Sequence, residues 1–247
     1  MHINERFDQI LDYLKLQKQA SVADLSRLFY VSPATVRRDL TEMERLGLVK
    51  RTHGGVIYAK GTNEVSFSIR QEANIQEKDR VATIAAPHLL DYRTIFIDNS
   101  STCLALVSRL DLRHKTVVTN GLRIANQLMQ QEQVHIILPG GELQANLDFA
   151  GSMACEILRR FHFDAMFCSC AAMDLSGSYE NSLASREIKA AAMELSDHRF
   201  LLVDHTKLHH TGPFRTCSLS RYERVFTDGD DDAVFPFREA GVEVVNR

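Results

Sequence analysis

Apolar residues recur along the first sixty positions at the spacing of short helices. Ile3, Phe7, Ile10, Leu11 and Leu14 return to one face every turn, which predicts a first helix. Ser21 is a good N-cap for a second, with Val22, Leu25 and Leu28 turned inward. After Phe29-Tyr30-Val31, Ser32 caps a third helix. Pro33 takes its first position, where the missing N–H costs nothing, and Gly47 stops it. Leu48–Arg51 and Val56–Tyr58, joined through Thr52-His53-Gly54-Gly55, read as a hairpin that extends a core too small on three helices alone.

From 61 to 74 the chain is polar and weakly periodic, a linker or a dimerising extension. A helix over Ile75–Leu90 then opens a run of alternating elements. Strand-like segments stand at Thr94–Asp98, Thr116–Thr119, Val134–Leu138, Phe163–Cys168, Phe200–Asp204, Arg224–Thr227 and Val242–Val245. Helical patterns at Thr102–Leu110, Leu122–Met129, Ser152–Arg160 and Ser185–Ser196 separate several of them. Such alternation implies an α/β domain whose mostly parallel sheet is covered by helices. The expected organisation is a small helical domain over 1–59, a linker over 60–74 and an α/β domain over 75–247.

Composition narrows the class. In 247 residues, 45% apolar and 25% charged, nothing suggests disorder or low complexity. No apolar run approaches a membrane span, and the first twenty residues lack the apolar core of a secretory signal, so a cytoplasmic protein without membrane contact is expected. Five cysteines are an odd number without repeating spacing, which argues against a disulfide framework. Cys168-Ser169-Cys170 lies inside the apolar run Ala165–Ala172 and reads as small buried packing rather than a metal or redox pair. The net charge of −3 is unevenly spread: residues 1–60 carry 10 Lys and Arg against 7 Asp and Glu, leaving 19 against 25 in the rest. A basic head on an acidic body points to nucleic acid at the N-terminus.

The third helix agrees with that sign. Val36, Leu40 and Met43 share one face, while Ala34, Arg38, Thr41 and Arg45 lie opposite. A helix-turn-helix needs this arrangement, because its second helix enters the major groove. Arg37 and Arg38 have the reach for phosphate or guanine, Ser32 and Thr35 can donate to phosphate, and Ala34 leaves room for the groove floor. Lys50, Arg51 and His53 lead into Gly54-Gly55, a basic wing placed for the neighbouring phosphates. One helix reads only a few base pairs, so a homo-oligomer, dimer or tetramer, on a symmetric double-stranded operator is expected.

In the second domain, Asp98-Asn99-Ser100-Ser101-Thr102 joins a strand to a helix. Hydroxyls at a helix N-terminus make either a phosphate cradle or a plain cap. Thr119-Asn120, Gly140-Gly141 and Asp204 with Lys207 stand near strand carboxyl ends, where open α/β sheets bind ligands, and Lys189 adds a candidate cation. The chain carries neither a Walker A sequence nor Gly-x-Gly-x-x-Gly, and no cofactor is implied.

Val31-Ser32-Pro33-Ala34-Thr35-Val36-Arg37-Arg38-Asp39-Leu40, Leu46-Gly47 and Arg51-Thr52-His53-Gly54-Gly55 resemble the N-terminal signature of the DeoR family of bacterial transcription regulators. The order of pieces over residues 75–228 is similar to that family's C-terminal sensor domain. The resemblance implies a winged helix-turn-helix, a sensor fold similar to ribose-5-phosphate isomerase, and a repressor controlled by a phosphorylated sugar or related metabolite. It also places Lys189 and Lys207 in the ligand region. The family's usual loop is Asp-x-Gly-Thr-Thr-Thr; here Ser100 replaces glycine and Cys103 removes a hydroxyl.

Two other classes compete with this reading. An isomerase-like enzyme with an appended DNA-binding head would need a carboxylate base, for which Asp174, Glu142, Glu187 and Asp204 are candidates. A metal sensor would use His205, His209 and His210, although no cysteine or carboxylate stands at a recognisable ligand spacing.

Overall fold

A computed structural model describes residues 3–45, 48–52, 55–58 and 67–247. The chain divides into two units, Met1–Ala73 and Asn74–Arg247.

The first unit runs α1 (Ile3–Gln17), β1 (Gln19–Ser21), α2 (Val22–Leu28), α3 (Pro33–Arg45), β2 (Val49–Thr52), β3 (Gly55–Tyr58) and α4 (Phe67–Glu72). Phe7, Ile10, Leu11 and Leu14 of α1 pack with Leu25, Val36, Leu40 and Met43 in one core, closed by Leu48, Val49 and Val56. Leu28 departs from expectation and is 46% exposed. Helix α2 is only two turns long and ends there, so Phe29 and Val31 beyond it fill the inward place instead. Ser21 and Ser32 both act as caps, accepting from the N–H groups of Asp24 at 3.0 Å and Thr35 at 3.1 Å. The wing strands pair antiparallel from Val49 with Tyr58 to Thr52 with Gly55. An unforeseen third strand, β1, runs antiparallel to β3. Gly55 permits that approach, since a Cβ on it would stand 2.5 Å from the Ala20 carbonyl oxygen. Gly47, His53 and Gly54 lie outside the described residues. Part of the segment read as a linker is helical, as α4.

The second unit begins with α5 (Ile75–Leu89), β4 (Thr94–Ile97), α6 (Ser101–Val107), β5 (Thr116–Thr119), α7 (Leu122–Leu128) and β6 (His135–Ile137). A short antiparallel pair, β7 (Glu142–Leu143) and β8 (Phe149–Ala150), leads into α8 (Gly151–Leu158) and β9 (Phe163–Cys168). Then come β10 (Ala172–Asp174), β11 (Gly177–Glu180), α9 (Leu183–Glu194), β12 (Ser196–Leu202), β13 (Phe214–Cys217), β14 (Arg224–Phe226), α10 (Asp231–Glu239) and β15 (Val244–Val245). Seven strands form one sheet in the order β15-β14-β12-β9-β4-β5-β6, every neighbouring pair parallel. Successive strand residues face opposite ways. Phe96, Met166, Cys168 and Leu201 therefore pack with Leu158, Ile188 and Phe237 of α8, α9 and α10. Ile95, Ile97, Phe167, Phe200 and Leu202 pack with Val81, Leu106 and Ile124 of α5, α6 and α7. Strands β10, β11 and β13 form a separate antiparallel sheet that the alternation of elements did not foretell.

The strand order places the site. From β4 the chain steps outward to β5 and β6, then returns to add β9 on the other side of β4. The order thus reverses between β4 and β9, and open α/β sheets leave a crevice at the carboxyl ends of strands at such a point. Among the described residues no helix is long and apolar enough to cross a membrane.

Candidate functional site

Two surfaces carry the residues singled out above. In the first unit Ser32, Ala34, Arg37 and Arg38 are exposed on α3 and Thr35 is half-buried. The Ser32 hydroxyl already caps the helix and lies 2.9 Å from the Thr35 hydroxyl. Arg51, read as a phosphate contact on the wing, gives its guanidinium to the Thr41 hydroxyl at 2.9 Å, and its N–H goes to Glu44 Oε1 at 2.7 Å. The wing is tied to α3 in this way. His53 lies outside the described residues. The position of α3 is fixed from behind by Arg6 of α1, which reaches Asp39 through two hydrogen bonds of 2.6 and 3.1 Å. Both groups are buried, and the hydrogen bond to Asp39 raises the Arg6 pKa.

In the second unit the switch point holds a cluster of charge. Asp98 follows β4, Ser169 follows β9, and Lys189 reaches them from α9. The Lys189 ammonium donates to the Ser169 carbonyl at 2.7 Å and to Glu180 Oε1 at 2.5 Å, and stands 3.0 Å from Asp98 Oδ2. All four residues are buried. Burial by itself disfavours the ammonium, but Asp98 and Glu180 outweigh it and hold Lys189 well above the ordinary lysine range. Lys207 approaches the same serine from the segment after β12, with its ammonium 3.3 Å from Ser169 Oγ and 3.2 Å from Asp204 Oδ2. Its side chain remains 21% exposed. Burial acts to raise the Asp204 pKa, but Lys207 and the Thr206 hydroxyl override it and the net shift is downward.

The loop after β4 divides its hydroxyls between roles. Ser100 is the cap of α6: it accepts from the Cys103 N–H at 3.1 Å and donates to Asp98 Oδ1 at 2.7 Å. Ser101 and Thr102 are buried in the first turn, and Thr102 accepts from the Ser169 hydroxyl at 3.4 Å. Asn120, following Thr119 at the end of β5, accepts from the Asn99 N–H at 3.1 Å and links this loop to Phe149 of β8. Gly121 lets Asn99 lie close, since a Cβ there would stand 2.5 Å from Asn99 Oδ1. Gly140 and Gly141 both adopt positive φ, of 70° and 107°. Among the described residues no hydrogen bond or ion pair joins them to the Lys189 cluster. Among the described residues, the buried Asn99 Oδ1 has no hydrogen-bond donor, and Asp204 Oδ2 has only its ion pair with Lys207.

Ser169 and Glu180 were not foreseen. Ser169 was hidden in a Cys-Ser-Cys run whose cysteines are indeed buried, with burial pushing the Cys170 thiol up to about 12. Its position one residue past a strand's carboxyl end is the signal that finds it. Glu180 gave none, because β11 is a short strand of mixed composition. The three histidines part company: His205 pairs with Asp228, His209 turns to the Ala233 carbonyl, and the His210 N–H goes to the Met173 carbonyl. Among the described residues no group of three or more His, Cys, Asp or Glu is placed to hold a metal ion.

Family models match both parts of the chain. The DeoR-like helix-turn-helix domain matches residues 6–62 and the DeoR C terminal sensor domain matches residues 73–229. The glycerol-3-phosphate regulon repressor of Escherichia coli is 32% identical over 92% of this chain and 92% of its own length. The L-fucose operon activator of Haemophilus influenzae is 31% identical over 92% of each chain, and the regulator GolR of Listeria innocua 30% identical over 97% of each.

Proposed function

The chain belongs to the DeoR family of transcription regulators, and we propose that it is a repressor whose hold on operator DNA is controlled by a phosphorylated sugar or related metabolite. Residues 1–59 read the operator, 75–247 sense the effector, and 60–74 join them. The observation that carries the effector reading is the convergence of Lys189 and Lys207 on Ser169 at the reversal of strand order. A crevice at that point receives ligand in open α/β sheets, and charge-assisted bonds to phosphate are the strong ones.

The two lysines have different tasks. Lys189 is neutralised by two carboxylates and acts as a strut that holds the β4 and β9 loops together. Lys207 has one carboxylate and partial exposure, so it is the cation that meets the phosphate, beside the N–H groups of Ser101 and Thr102 in the first turn of α6. Sugar hydroxyls then supply the donor that Asn99 Oδ1 lacks. A relative named for glycerol-3-phosphate supports an effector of this chemistry.

The isomerase reading finds less support. Asp174 is occupied by the N–H groups of Ser176 and Gly177 and the Tyr179 hydroxyl, and Asp204 is paired with Lys207. Glu142 and Glu187 are exposed. The relatives that match over 92% of their own length are named as regulators. The protein acts in the cytoplasm as a symmetric dimer or tetramer, because each α3 reads only a few base pairs. A thermal-shift screen against a panel of sugar phosphates tests the proposal. A ligand at 100 times its dissociation constant stabilises the native state by about 2.7 kcal/mol. A panel without one stabilising compound removes the effector class.

A further inference from the structure

The turn between α2 and α3 ends α2 in an unusual way. Phe29 is the C-cap, Tyr30 follows at φ 54°, and the Val31 N–H returns to the Ser26 carbonyl at 3.2 Å. This bonding pattern closes many helices, and the residue at the left-handed position is usually glycine, because a Cβ there crowds the backbone. The turn is locked a second time by the Ser26 hydroxyl, which donates to the Val31 carbonyl at 2.6 Å. Tyrosine is bulky and ill suited to such a backbone. Nor does burial repay it, since Tyr30 is 95% exposed, the most exposed of the large apolar and aromatic side chains described. Neither local conformation nor the core accounts for an aromatic at this position. A partner outside the fold does.

The position of Tyr30 also says which partner. Tyr30 stands two residues before Ser32, the cap of α3, so it adjoins along the chain the exposed N-terminal end of the DNA-reading helix, where Ser32, Ala34, Arg37 and Arg38 are exposed. A side chain at this edge of the helix lies where the major groove gives way to the sugar-phosphate backbone. We propose that Tyr30 is a DNA-contact residue, its ring packed on a deoxyribose beside the bases read by α3 and its hydroxyl donating to a phosphate oxygen. Such a contact fixes the register of α3 without reading a base, and being neutral it releases no counterion. The inference rests on the reading of this unit as a DNA-binding head.

The test uses the full-length protein and a duplex that the wild-type chain enriches from a random-sequence pool. Tyr30→Phe keeps the ring and the fold but loses the hydroxyl; its Kd is expected to rise roughly threefold to tenfold. Tyr30→Gly loses both and relieves the backbone; its Kd is expected to rise by at least about tenfold, while its melting temperature is no lower than wild type. The slope of log Kd against log salt stays unchanged in both, unlike that of Arg37→Ala. Equal affinity of Tyr30→Gly and wild type overturns the proposal, as does a change of oligomeric state in either variant, which would assign Tyr30 to a second copy of the chain. A wild-type protein that enriches no duplex overturns this proposal together with the DNA-binding reading beneath it.

Discussion

Lys189 stands 3.0 Å from Asp98 Oδ2, so one ammonium on α9 reaches across to the loop that leaves β4. The same ammonium meets Glu180 and the Ser169 carbonyl, and its side chain is nearly inaccessible to water. Removing one partner of a buried ion pair costs about 3–5 kcal/mol, because it strands the opposite charge. Lys189→Ala removes the cation that faces two buried carboxylates and is expected to destabilise the second unit by about that amount at pH 7 in urea denaturation. Lys189→Met combined with Asp98→Asn and Glu180→Gln is expected to recover most of the loss. A single substitution costing under about 1 kcal/mol, the value of an exposed pair, would contradict the strut role.

The pH dependence follows from the direction of the shifts. Lys189 is raised above its unfolded value, so its contribution is fully present below about pH 10.4 and is lost as pH rises through the higher folded value. Asp164 is lowered by the Thr94 and Arg93 N–H groups, and Asp204 by Lys207 and Thr206 against the opposing effect of burial. Their contributions are present above about pH 3.9 and vanish as pH falls through the lower folded values. Melting curves of the wild type are therefore expected to fall below about pH 4 and again above about pH 10. Asp164→Asn should flatten the acid limb, and an unchanged limb would show that Asp164 is not linked to folding.

Arg6 and Asp39 form the corresponding buried pair of the DNA-binding head. Arg6→Met leaves Asp39 unpaired beneath α3 and is expected to cost about 3–5 kcal/mol, with DNA affinity falling as the helix loses its seat. Arg6→Met with Asp39→Leu should restore much of the stability, because an apolar pair of similar volume avoids the desolvation of both charges. A double-mutant cycle with a coupling energy below about 0.5 kcal/mol would mean that the two charges act independently.

On the outward face, Arg38→Ala is expected to cost about 1–3 kcal/mol at one base position if its guanidinium takes a guanine, relaxing specificity there alone. Arg51→Ala is expected to weaken all duplexes similarly and to lower the salt slope by about 1. It also frees the wing from Thr41. Binding measured on a matched and a singly substituted duplex separates the two effects. Equal, sequence-blind losses in both variants would move base reading away from Arg38.

Long periodic segments were legible in the chain. The stripe of α1, the caps Ser21 and Ser32, and the apolar runs of β4, β5, β9 and β14 lie where the pattern put them, because burial on a fixed face leaves a period. Short elements left no such trace. Strand β1 spans three residues held by pairing to β3, and β10, β11 and β13 mix polar and apolar positions because they belong to a small antiparallel sheet. Of the candidate effector-site residues, Asp98, Lys189 and Lys207 were legible one by one, whereas Ser169 and Glu180 were not. Their convergence was not legible either, since it depends on β9 returning beside β4, and neighbouring strands in the sheet are far apart in the chain. For the same reason the role of Lys189 reads differently once Glu180 is seen beside it, as a neutralised strut rather than a free cation.

On this reading the second unit binds a phosphorylated sugar through its phosphate at the Lys207 side of the switch point. Isothermal titration of the wild type and of Lys207→Gln with the compound found in the screen, in phosphorylated and unphosphorylated forms, is the decisive test. The phosphorylated form is expected to bind the wild type at least about tenfold more tightly, as loss of a charge-assisted bond implies. Lys207→Gln is expected to erase most of that preference while the operator affinity of the ligand-free protein stays within about twofold, because a ligand acts only through its differential affinity for two states. Equal affinity for the two forms in the wild type, or an undiminished preference in Lys207→Gln, would contradict the account.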